Sequence, residues 1–93
     1  MKVKVVHSMW GKARGLMFSK RKNLMFVFDK EQIVPLHNWF VFFPIDVLFL
    51  DKNKMVVEIK KGFKPFSYYK PKKKAMYVVE LVEKNDYKVG DKF

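Results

Sequence analysis

The stretch Ile45-Asp46-Val47-Leu48-Phe49-Leu50-Asp51-Lys52-Asn53-Lys54-Met55-Val56-Val57-Glu58-Ile59-Lys60 decides the fold. An apolar run precedes a polar quartet, and a second run with Val and Ile follows it. Branched and aromatic side chains fit a pleated, half-buried surface, whereas Asp and Asn populate tight turns. The segment therefore reads as a β-hairpin, residues 45–50 antiparallel to 55–60 across a turn at 51–54. Asp46 is the exception in its strand. On a pleat of period two it shares a face with Leu48 and Leu50, so its carboxylate is at least partly buried and needs a partner.

Working outward, Pro44 has no N–H and separates this hairpin from a further apolar run at 39–43, placing itself at an edge or a bulge. Upstream, 2–6 alternates Lys with Val and reads as a strand. Ser8 caps a short helix expected over 9–15, with Gly15 as its stop, and 24–28 is a short apolar strand. Downstream, 61–74 holds Gly62, Pro65 and Pro71 and reads as an exposed loop. A strand at 75–81, one helical turn at 82–87 and a turn entering a last edge strand at 89–93 complete the chain. The expected class is α+β and β-rich, a compact barrel-like or sandwich-like, mostly antiparallel sheet with one or two short helices. Ninety-three residues leave room for one core, so 1–93 is expected to be a single domain.

The chain has no Cys and no Thr, and its only Ser are Ser8, Ser19 and Ser67. Disulfides, thiolate catalysis and thiolate zinc sites are excluded, and the nucleophile inventory is thin. His7 and His37 are too few for a closed metal site, so neither a metal nor a cofactor is expected. The N-terminus lacks the long apolar core of a signal peptide, and the longest uncharged stretch, 32–45, is too short to span a bilayer. A cytoplasmic protein without a membrane span is expected.

A net charge of +11 is the most unusual feature. A surplus of that size favours polyanionic partners. A hot habitat is a competing reading of this Lys-, Phe- and Tyr-rich composition. Such adaptation, however, usually adds Lys and Glu together as ion pairs, and here 18 Lys face four Glu and five Asp. Charge is also segregated: 52–74 carries nine Lys against Glu58 alone. Within it, 60–74 interleaves Lys60, Lys61, Lys64, Lys70, Lys72, Lys73 and Lys74 with Phe63, Phe66, Tyr68 and Tyr69. Lysines neutralise phosphates and release counterions, while exposed rings stack on unpaired bases. That combination suits single-stranded nucleic acid. The competing reading is a solvated loop pinned by its rings. The acids Glu80, Glu83, Asp86 and Asp91 read most simply as solvated surface.

Several phrases occur in a set order: Arg14-Gly15-Leu16-Met17-Phe18, Leu24-Met25-Phe26-Val27-Phe28, the run from His37 to Asp51, Lys64-Pro65, Val79-Glu80-Leu81 and Val89-Gly90-Asp91. Together they resemble the uncharacterised family known as domain of unknown function 192, from about Arg14 to Asp91. Phe42 stands where members of that family often carry Arg, and Val82-Glu83 replaces a small-residue pair. The resemblance implies a compact β-rich fold and no established activity. Arg14 and His37, both in these phrases, are the candidate partners of Asp46, as a structural polar cluster or as the edge of a pocket.

Two functional classes follow. The leading one is a non-enzymatic module for RNA or single-stranded DNA, using Lys60, Lys61, Lys64, Phe66, Tyr68, Tyr69, Lys70, Lys72, Lys73 and Lys74. The alternative is a small-molecule-binding or enzymatic domain with a pocket near Arg14, His37 and Asp46. No catalytic residue is assigned, and the oligomeric state is left open.

Overall fold

The computed structural model describes residues 3–7, 23–37, 44–64 and 67–93. Seven strands run through them: β1 (Lys4–His7), β2 (Leu24–Gln32), β3 (Leu36–His37), β4 (Ile45–Leu50), β5 (Val56–Phe63), β6 (Tyr68–Tyr69) and β7 (Ala75–Leu81). Five form one sheet in the order β1-β2-β7-β4-β5, and β3 pairs with β6 in a separate two-stranded ribbon. β1 is parallel to β2, and every other pairing is antiparallel.

The hairpin expected from the sequence is present, with Leu48 opposite Ile59, Phe49 opposite Glu58 and Leu50 opposite Val56. Asp51 builds its turn. The Asp51 Oδ1 accepts the N–H groups of Asn53 and Met55 at 2.9 and 3.0 Å, and the Asp51 carbonyl accepts that of Lys54, whose φ is +62°. The chain end covers the start of β5: Val56 donates to the Asp91 carbonyl and accepts from Gly90, both at 2.8 Å.

Alternation makes the sheet apolar on both faces. Leu24, Phe26, Val47, Phe49 and Val78 join one cluster, and the β3–β6 ribbon adds Leu36 and Tyr69 to it. Met25, Leu48, Leu50, Val79 and Leu81 form the other, covered by Tyr87 and Phe93 from the C-terminal segment. Two separately covered faces remove the need to curl into a closed core. The sheet is open, with β1 and β5 at its ends, so the barrel-like expectation is not met.

Two further expectations change, and one is not tested. The described residues contain no helix; the one expected over 9–15 lies outside them, as do 39–43. The helical turn expected at 82–87 is irregular chain, because Asn85 bonds its own neighbourhood instead: its Oδ1 accepts the Tyr87 N–H at 3.3 Å. The segment 61–74 is not one exposed loop either. Its first residues prolong β5 with Phe63 fully buried, Pro71 is buried, and Tyr68–Tyr69 form β6.

Candidate functional site

Glu58 organises the lysine-rich segment. Its pairing with Phe49 puts it on the sheet face that the β3–β6 ribbon covers. One carboxylate oxygen accepts the Tyr69 hydroxyl, and the other accepts the backbone N–H groups of Lys72 and Lys73, each at 2.9 Å. The Tyr69 ring packs on Phe49 with centroids 6.0 Å apart, and the Lys60 ammonium lies 5.5 Å from the same ring. The hydrogen bond to Glu58, then burial, then the carboxylate's charge push the Tyr69 phenol up to about 12. Tyr69 is thus an anchor, half-buried in the fold.

Its neighbour points the other way. Tyr68 is 57% exposed, and Lys64, Lys70, Lys72, Lys73 and Lys74 are exposed around it in the chain. Lys60 is half-buried against Tyr69, while Lys61 reaches Asp46 at 3.8 Å and the Asn85 carbonyl at 3.4 Å. Phe66 lies outside the described residues.

Asp46 is partly buried, its side chain 22% exposed. Its Oδ1 accepts the Gly62 N–H and its Oδ2 the Asn85 amide, both at 2.9 Å. Arg14 and the side chain of His37 lie outside the described residues. β3, which ends at His37, covers the face opposite the one that carries Asp46.

Glu80 corrects the sequence reading of the C-terminal acids. Glu83, Asp86 and Asp91 are exposed, but Glu80 is only 4% exposed, in the middle of the sheet between Leu24 on β2 and Val47 on β4. Among the described residues its Oε2 has no hydrogen-bond partner, and burial pushes its carboxyl up to about 7. Its signal was present, a single acid inside the apolar run Val78-Val79-Glu80-Leu81-Val82. Glu58 carried a comparable signal, as the lone acid among the nine lysines of 52–74, but its partners were not readable from it.

Among the described residues no group of three or more His, Asp or Glu is placed to hold a metal ion, and no helix is long and apolar enough to cross a membrane. Residues 1–92 match the family DUF192, described as "Uncharacterized ACR". The chain belongs to the DUF192 family. UPF0127 protein PH1112 of Pyrococcus horikoshii is 37% identical over 97 residues, covering 97% of this chain and 84% of that protein. UPF0127 protein PF1050 of Pyrococcus furiosus is 40% identical over 85 residues, covering 84% and 72%. A crystal structure of a candidate transcription regulator from Sinorhizobium meliloti 1021 superimposes with a TM-score of 0.73 at 21% identity, over 85% of this chain and 66% of that one. At that identity the likeness concerns the fold alone. Within this DUF192 chain, the phrase Val79-Glu80-Leu81 is the C-terminal end of β7, and the phrase around Asp46 contains β4, its partner.

Proposed function

We propose that the protein is a non-enzymatic module that binds single-stranded nucleic acid, RNA or DNA, on the segment between β5 and β7. The observation that carries this reading is the exposure of Tyr68 together with Lys64, Lys70, Lys72, Lys73 and Lys74 on chain that is itself tethered to the sheet. The lysines would contact phosphates and Tyr68 would stack on a base. Lys60 and Lys61 add charge from β5, and Phe66 joins the contact set on its residue type. Tyr69 supports the site from below. A cytoplasmic setting goes with this reading, since a chain without Cys has no use for an oxidising compartment. The competing pocket near Arg14, His37 and Asp46 draws no support from Asp46, whose two oxygens are already engaged.

Fluorescence anisotropy with a labelled mixed-sequence RNA and its DNA counterpart, across a salt series, tests the proposal. Four to six phosphate contacts give a log–log slope of about −3 to −4 on single strands. Replacing Lys70, Lys72, Lys73 and Lys74 together with Gln flattens it. Absence of binding at low salt overturns the reading.

A further inference from the structure

We propose that Glu58 is the positioning residue of this site, presenting the Tyr68 ring and the 70–74 lysines to a single-stranded phosphodiester ligand in one fixed arrangement. The inference rests on the nucleic-acid reading above and adds the device that makes the surface selective for single strands.

The geometry runs through one carboxylate. Through Oε2 it holds the Tyr69 hydroxyl against the sheet, and successive residues of a strand point to opposite sides. With Tyr69 locked onto Phe49, Tyr68 must project outward, as its exposure of 57% confirms. Through Oε1 the same group gathers the consecutive N–H groups of Lys72 and Lys73. Adjacent amides converging on one oxygen form a small anion-binding concavity, filled here from inside the protein. Ring and cations are therefore set by a single anchor. An exposed ring beside the cations calls for an unpaired base beside the phosphates, which a duplex does not present.

Charge alone argues for the opposite role. A carboxylate among nine lysines repels a polyanion, so its loss should tighten binding if it only offset charge. If it positions the site, its loss leaves loop and ring to be ordered by the ligand, and binding weakens. The two accounts differ in sign.

The experiment measures RNA binding by the full chain, by Glu58→Gln, which keeps shape and drops charge, and by Glu58→Ala, each with and without Tyr68→Ala. Thermal melts check that each variant is folded, and amide exchange at Lys72 and Lys73 reports the tether. The expected result is binding weakened about three- to tenfold in Glu58→Ala, less in Glu58→Gln, with faster exchange at both amides. The effect of Tyr68→Ala shrinks in the Glu58→Ala background, because the two residues act as a unit. Equal or tighter binding by both Glu58 variants overturns the positioning role and leaves the nucleic-acid reading standing. So does a Tyr68→Ala effect of unchanged size in the Glu58→Ala background. If the unmodified chain binds neither RNA nor DNA, the nucleic-acid reading itself falls.

Discussion

Asp46 and Gly62 meet where β5 bulges against β4, the Asp46 Oδ1 accepting the Gly62 N–H at 2.9 Å. Ile45 pairs with Phe63 and Val47 with Lys60, so Asp46 alone faces the two residues Lys61 and Gly62. Gly62 takes up the extra length with a φ of +57°. The other oxygen of Asp46 binds Asn85, so one carboxylate joins the bulge to the C-terminal segment. The bulge lies where β5 runs on into the lysine-rich segment, and so it sets the direction in which that segment leaves the sheet.

Asp46→Ala is expected to lower stability by about 1–2 kcal/mol, because the Asn85 amide keeps only its longer bond to the Glu83 carbonyl while Gly62, exposed, can turn to water. Asp46→Asn should recover part of this by keeping an acceptor for Gly62. Urea denaturation of the three proteins measures it, and a variant as stable as the parent contradicts the tie.

Gly62→Ala isolates the backbone contribution. A Cβ there would meet nothing within 4 Å, so crowding plays no part and only the left-handed conformation is strained. A loss of about 1–2 kcal/mol is expected. Gly62→Asn should lose less, since Asn tolerates that conformation better. The order of the two melting temperatures is the readout.

Glu80 makes stability depend on pH in a defined direction. Its carboxyl is raised from 4.5 to about 7 in the folded protein by burial. Between those values the unfolded chain has released the proton and the folded chain retains it, so stability falls as pH rises through the window and levels off above 7. The shift corresponds to about 3 kcal/mol. Glu80→Gln, compared with the parent at each pH by denaturant midpoint, should remove this decline. Parallel curves for the two proteins would show that Glu80 does not carry it.

The phenol of Tyr69 should ionise late. Subtracting the ultraviolet titration of Tyr69→Phe from that of the parent should leave a phenolate signal centred near 12, because the Glu58 carboxylate holds the proton. In Glu58→Gln the signal moves back towards 10, the ordinary tyrosine value. An unmoved signal would mean that Glu58 is not what holds it.

The hairpin and the strand of β7 were legible in the sequence because their signals are local: apolar runs and an Asp–Asn turn. The surplus of lysine and the rings among them were equally plain, as was the partial burial of Asp46 from its parity with Leu48 and Leu50. Strand order was not legible. β7 enters between β2 and β4, and no periodicity within one segment records which distant segment will pair with it. Glu80 looked like surface for that reason: its burial depends on Leu24 and Val47, far away in the chain on both counts. Glu58 is the same case at the site, since Tyr69, Lys72 and Lys73 lie 11, 14 and 15 residues beyond it. Which tyrosine anchors and which one faces solvent was decided only when the ribbon packed on the sheet, because two adjacent tyrosines are chemically alike until a partner makes one side of the strand the inside.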